Sequence, residues 1–458
     1  MMEVIHIYHT NDLHSHFEHW PRIQSFLQER KKWHQEHGED CFLFDIGDHA
    51  DRWHPLTEAS MGQENTQLLN ETGFHAITIG NNEGITFPHD GLDHLYDHRQ
   101  FDVLVANLFK QDGTHPSWVK ENTTFETKSG IKLGVTGLTA NYAHLYHLLG
   151  WKTEDPLEIL KAQVTKLKDQ SDIIVLLSHL GIGDDERIGR EFPEIDVVIG
   201  GHTHHILHEG KLVNETLLTC AGKYGMYVGH ITLIIDDNKL IDKKARLYDS
   251  NELPATLGEE MVVENLYKKG KDLLSNDIVS VNHPYMGKEE MAILLCDATR
   301  EWCQADCALI NEGLIIEDPT PGVITKFDLL KNCPHPINPC VVELTGAELK
   351  EVLLQSLDEK WKEMQIMGLG FRGKVMGKMI YSGIEIQKRL QSYQFFIKGR
   401  SIDANLTYRV AIPDMFTFGK FFPSIFRAKN KKYFLPEFMR HLLEWKIRKV
   451  EAPCSAPY

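Results

Sequence analysis

No stretch of the 458 residues approaches the roughly 20 consecutive apolar positions that cross a bilayer. The amino terminus, Met1-Met2-Glu3-Val4-Ile5-His6, has neither a basic leader nor an apolar segment with a small-residue cleavage site. The expectation is a cytoplasmic chain that neither enters a membrane nor is exported. Positive charge is also scarce: 49 Lys and Arg stand against 65 Asp and Glu, a formal charge of -16. Long nucleic acid needs a basic footprint and is disfavoured as a partner, whereas a small anion held by local cations is not. The eight cysteines (41, 220, 296, 303, 307, 333, 340, 454) form no Cys-x-x-Cys pair. That fits reduced thiols better than a disulfide framework and argues against a closed thiolate zinc site. What the chain has in excess is histidine, 25 residues, roughly twice ordinary usage.

Up to about residue 235, apolar runs alternate with polar stretches long enough for helices: Val4 to Tyr8, Cys41 to Phe44, Ala76 to Ile79, Val103 to Val105, Leu133 to Val135, Ile173 to Leu177 and Val197 to Ile199. Continuous β-branched runs of this kind predict strands buried on both faces of an α/β domain. We place this domain at 1–250. A connector at 251–279 carries an amphipathic helix between Pro254 and Asn276. A second domain, 280–458, restarts the pattern with helices at 288–303 and 345–356, a strand at 308–310, a Pro-rich loop at 317–322, a Gly-rich turn region at 368–377, and a Phe-rich strand holding Phe416, Phe418, Phe421, Phe422 and Phe426.

Five predicted strands of the first domain run into metal-ligand residue types. They are followed by Asn11-Asp12-Leu13-His14, Asp45-Ile46-Gly47-Asp48, Gly80-Asn81-Asn82-Glu83, Ser178-His179 and Gly200-Gly201-His202-Thr203-His204. Ligands of α/β sheets bind beyond the carboxyl ends of strands, so these loops converge. Taken singly, Asp12 or Asn81 reads as a turn former and His179 as a core histidine; all of them in order, each behind a strand, do not. Oxygen and imidazole donors suit Mn, Zn, Fe or Mg. Seven donors suit two ions sharing a carboxylate, an arrangement that clamps both oxygens of a phosphoryl displacement.

This ordered series resembles the calcineurin-like metallophosphoesterases, and among them the 5′-nucleotidase family, with motifs D-x-H, G-D-x-x-D, G-N-H-E, a strand-end His and G-H-x-H. The resemblance implies a four-layer αββα sandwich followed by an α+β substrate-binding domain. It implies that Asp12, His14, Asp48 and His204 hold one metal and Asp48, Asn81, His179 and His202 the other, Asp48 bridging. Asn81, Asn82 and Asp48 then serve the catalysis. The family's catalytic His and its supporting Asp are replaced by Asn82 and Ile85. Asn82 can donate a hydrogen bond to a phosphate oxygen but delivers no proton, help that is worth about 10²–10⁴-fold. His49, His16 and His19 are the nearest replacements, His49 best placed beside Asp48.

In the second domain the resemblance runs through Asn311-Glu312-Gly313, Gly322 to Thr325, Pro336-Ile337-Asn338, Leu344-Thr345-Gly346 and Ser382-Gly383. The substrate-contacting Arg of the family falls at Ile315, leaving Arg372 or Lys374 to compensate, beside Asn311. The family stacks a base between aromatic rings, here Phe416 and Phe418, or else these rings are core. The family's closing turn is reduced to Gly419-Lys420-Phe421-Phe422. The expected function is a phosphohydrolase using two divalent ions on nucleotides or related phosphomonoesters, the second domain closing over the organic part. The alternatives are a phosphodiesterase on cyclic nucleotides or dinucleotides, and a metal- and nucleotide-binding sensor that does not turn over.

Overall fold

The strand Glu3–Thr10 is buried from Ile5 onward. Ile5 and Ile7 enter a core shared with Phe42, Phe44, Val135, Val175 and Leu177. On the opposite face, Tyr8 packs against Phe26 and meets His34, both from helix Trp20–Glu36. Period-two alternation between two buried faces marks a strand lying between layers.

The computed structural model describes residues 2–451 other than 285, 319, 320, 391 and 420. Lys420, Cys454 and the middle of the 317–322 loop are therefore outside the described residues. The chain divides into two compact units, 1–270 and 271–458.

In the first unit, a seven-stranded sheet runs in the order Lys239–Asp249, Tyr227–Asp236, Glu3–Thr10, Asp40–Asp45, Ala76–Ile77, Asp102–Leu104, Val119–Lys120. Glu3–Thr10 pairs parallel with Asp40–Asp45 and antiparallel with Tyr227–Asp236. A six-stranded sheet runs Lys211–Val213, Thr216–Thr219, Val197–Gly200, Ile173–His179, Lys132–Thr139, Asn122–Glu126. The inner faces of the two sheets meet in one apolar core. Helices Pro156–Lys168 and Ile182–Glu191 cover the outside of the second sheet, Leu160, Val164, Leu167 and Ile188 packing on Ile174, Leu176 and Val198. Asp155 starts the first of these helices by accepting from the amides of Leu157 and Glu158. The result is the αββα sandwich.

The helix expected between Pro254 and Asn276 forms as Glu259–Ser275, and the division into units falls within it. Gly270 is there because its backbone lies against Leu56, whose amide nitrogen would be 2.1 Å from an added Cβ.

The second unit is α+β. Its main sheet runs Met379–Ser382, Cys307–Asn311, Thr407–Pro413, Pro339–Thr345, Lys431–Tyr433. Helices Lys288–Trp302 and Gly346–Ser356 form as read, the second opened by a reciprocal Thr345–Glu348 cap. A small antiparallel sheet at Glu385–Arg389, Ser392–Ile397 and Arg400–Ser401 had no clear signal in the sequence. The Phe-rich stretch is not a strand: it makes the short helices Met415–Phe418 and Pro423–Arg427, because Pro423 has no amide for a sheet ladder and suits a helix start.

Candidate metal centre

The loops after strands Glu3–Thr10 and Asp40–Asp45 are tied together by their backbones. The amides of Asp12, His14 and Ser15 donate to the carbonyls of Gly47, Asp48 and His49 at 3.0, 2.7 and 2.9 Å. This pairing sets Asp12, His14 and Asp48 at φ of 51, 51 and 49°, and His202 and His204 sit at 70 and 57°. The left-handed region costs an L-residue roughly 1–2 kcal/mol, and such strain concentrates where surrounding structure fixes a functional side chain. Five of the seven ligands read from sequence carry it.

Glu83 ties in a third loop. Its carboxylate accepts from the amides of Asp48, Ala50 and Gly80 at 2.9, 2.8 and 2.9 Å; burial, then the neighbouring Asp48, raise its pKa to about 7. Gly80 must be glycine, since a Cβ would lie 2.0 Å from Asp48 Oδ1.

Within this frame Asp12, His14 and His204 form one group able to hold an ion and Asp12, Asp48 and His179 another. His14 Nε2 lies 3.2 Å from His204 Nε2, 3.6 Å from Asp48 Oδ2 and 3.8 Å from Asp12 Oδ1. His179 Nε2 lies 3.4 Å from Asp48 Oδ2 and 3.9 Å from Asp12 Oδ1, and His204 Nε2 is 3.4 Å from Asp12 Oδ1. The sequence reading shared Asp48 alone. In the structure Asp12 belongs to both groups, and Asp48 also lies near a histidine of each.

The donors fit divalent ions on an internal criterion. His179 Nδ1 is 2.6 Å from the carbonyl of Ile46 and donates to it. The opposite nitrogen, Nε2, faces two carboxylates, fully buried and without a hydrogen-bond partner. Burial opposes charge on both His179 and Asp48, yet their mutual attraction prevails, raising the histidine to about 10 and holding the carboxyl below its ordinary range. A buried imidazole nitrogen facing two carboxylates is a donor set that fits a divalent cation.

Asn81 and His202 meet each other, His202 Nδ1 lying 2.7 Å from Asn81 Oδ1, and the His202 ring is 5.4 Å from that of His179. Asn82 is buried, its amide nitrogen 2.7 Å from His14 Nδ1 and 3.0 Å from Asp51 Oδ2. That nitrogen is thus turned into the protein.

Asp51 is the residue the sequence reading passed over. It is buried with Oδ2 3.2 Å from His14 Nδ1, the position from which a carboxylate orients a metal-ligating imidazole. Its signal was its spacing, three residues after Asp48 in the G-D-x-x-D pattern.

The proposed replacements for the missing histidine fare unequally. His49 is buried edge-on against Trp20, 5.0 Å between ring centres, and burial lowers its pKa to about 3. It is neither exposed nor readily protonated. His16 is partly exposed, its ring 3.9 Å from that of Tyr224, which in turn is 5.7 Å from His14. His19 precedes helix Trp20–Glu36 without a side-chain cap bond.

In the second unit, Asn311 is fully buried and donates to the carbonyl of Met376 at 3.1 Å. Arg372 is half-buried, its amide donating to His335 Nδ1 at 2.8 Å, and Lys374 is exposed. Phe416 lies in the core against Phe421 and Phe422. Phe418 is 44% exposed and stacks on Tyr433 at 5.9 Å.

Residues 5–205 match the calcineurin-like phosphoesterase family and residues 273–421 the 5′-nucleotidase C-terminal domain. The chain is 43% identical over 460 residues to the metallophosphoesterase YunD of Bacillus subtilis (strain 168), covering 98% of this chain and all of that one. It is 27% identical over 406 residues to the 5′-nucleotidase of Diplobatis ommata, covering 75% and 69%. The structure of the Haemophilus influenzae NAD nucleotidase superposes with a TM-score of 0.65 at 17% identity, covering 98% and 97%, which shows the shared fold. With an αββα unit matched by one family and an α+β unit matched by the other, the chain belongs to the calcineurin-like metallophosphoesterases that carry a 5′-nucleotidase C-terminal domain.

Proposed function

We propose that this phosphoesterase hydrolyses nucleotides or related phosphomonoesters with two divalent ions, drawn from Mn, Zn, Fe or Mg. The observation that carries the reading is the convergence of two histidine-carboxylate groups on Asp12, with Asp48 within reach of a histidine from each. Asp12, His14, Asp48 and His204 would hold one ion and Asp48, Asn81, His179 and His202 the other. Bound ions of this kind neutralise charge on phosphoryl oxygens and acidify an attacking water.

The chain's own residues do the rest. Asp51 fixes the His14 ring, Ile46 fixes that of His179, and Glu83 holds the Asp48 and Gly80 amides in register. Asn82 donates to Asp51 Oδ2 and so steadies the carboxylate that holds His14, while Asn81 is the amide proposed to face substrate oxygens. The nucleotide class is supported by the relatives named 5′-nucleotidase and NAD nucleotidase. Phe418, with its exposed face, is the candidate for contact with a base, and Arg372 for contact with a substrate anion.

The absence of a proton donor at Asn82 and Ile85 favours a second reading, a binder without turnover. A phosphate-release screen across nucleoside monophosphates, cyclic nucleotides, dinucleotides and sugar phosphates, with Mn added, separates the two. Release from monophosphates that vanishes in Asp48→Asn supports the hydrolase. No release from any of them, with ions bound and the cyclic nucleotides and dinucleotides found intact by chromatography, supports the binder.

A further inference from the structure

A second histidine cluster lies in the first unit away from these loops. His6, His34 and His230 are all buried, and one ring nitrogen from each lies within 4.8 Å of the others. His6 is four residues before Thr10, roughly 13 Å of extended strand from the loop that carries Asp12. It projects to the helix-covered face of its sheet, where its ring stacks 3.9 Å from that of His34. Glu39 closes the group, one oxygen 2.7 Å from His34 Nδ1 and 3.2 Å from His6 Nε2.

The hydrogen bonding leaves one atom over. Arg246 Nε only donates, so His230 Nδ1, 3.1 Å away, accepts. His230 Nε2 then carries the proton and donates to His6 Nδ1 at 3.0 Å. The remaining nitrogen of His6, Nε2, is buried and has no partner in hydrogen-bond geometry, although it stands beside the Glu39 carboxylate. We infer that His6 Nε2, His34 Nδ1 and Glu39 form a further divalent-ion site, with His230 behind His6 as its orienting partner. Two imidazoles and a carboxylate with a position left for water is a donor set suited to zinc.

Binding requires the rings to change tautomer and no net proton to leave them. His6 moves its proton to Nδ1 and donates it to His230 Nε2; His230 then carries its proton on Nδ1, and His34 on Nε2, facing the Tyr8 hydroxyl 3.0 Å away. The Arg246 guanidinium, on an exposed residue, is the group that must give way. Its removal should therefore strengthen binding.

The test is zinc titration of the full chain after EDTA treatment, with bound zinc measured by elemental analysis after gel filtration. Wild type should bind one equivalent more than His34→Ala or Glu39→Gln, while both variants keep Mn-supported phosphoesterase turnover. Arg246→Ala should reach half-saturation of that equivalent at lower zinc. Equal zinc content in wild type and Glu39→Gln would overturn the site. Glu39 is partly exposed, so this variant decides the matter if His34→Ala does not fold.

Discussion

Asp51 stands outside the proposed ligand set but touches one of its members. Its carboxylate is the acidic group 3.2 Å from His14 Nδ1, and losing such a partner typically costs 10–100-fold in metal affinity or activity. Asp51→Asn should lower turnover by about that much, with the deficit partly recovered by raising Mn, as measured by rates across a metal titration. Phe418→Ala should raise KM for a nucleoside monophosphate while leaving KM for ribose 5-phosphate, which has no aromatic ring to stack, unchanged. At this scale the sequence was legible where chemistry is rare: Asp and His residues placed behind apolar runs. It was not legible for Phe416 against Phe418. Two aromatics two residues apart look alike in a string, and only the short helix at 415–418 sends one into the core and leaves the other half exposed. Nor could it reveal that Asn82 turns its amide toward His14, since that depends on a loop-to-loop contact.

Elements carry the site through backbone fit. The loop of Gly80 passes so close to Asp48 that Gly80→Ala should displace the carboxylate. The expected result is loss of turnover and of bound metal, with the far-ultraviolet circular dichroism spectrum retained, because the strands beneath are buried independently of the loop. The strands and most long helices could be read from period and β-branched runs. Which strands share a sheet could not: the seven- and six-stranded sheets interleave apolar runs of the same composition, and parallel pairing over long crossovers leaves no local mark. The left-handed backbone at Asp12, His14 and Asp48 was equally hidden, since it is imposed by hydrogen bonds between two loops far apart in sequence.

The whole molecule buries several histidines as neutral rings. Burial lowers both His9, in the first unit, and His335, in the second, to about 3. The unfolded chain takes up protons near pH 6.5 while these folded rings do not, so their contribution is full above that pH. It is lost as pH falls toward 3, by about 1.4 kcal/mol per pH unit for each ring. Thermal melts at pH 7.5 and 5.5 should show clear acid destabilisation, reduced in His335→Gln. Asp414 acts in the opposite direction: burial raises its carboxyl to about 7, so its protonated form favours folding below about pH 4 and stability is lost as pH rises to 7. Asp414→Asn should melt higher than wild type at pH 7.5 and not at pH 4. Both shifts would be read as midpoints of the same melts. Asp48 is the residue the two proposed ion sites have in common, its carboxylate standing near a histidine from each group. The most direct measurement is Mn-supported hydrolysis of p-nitrophenyl phosphate by wild type and Asp48→Asn, with bound metal determined alongside. Turnover in wild type should fall to background in the variant together with its metal. Equal rates in the two proteins would contradict this.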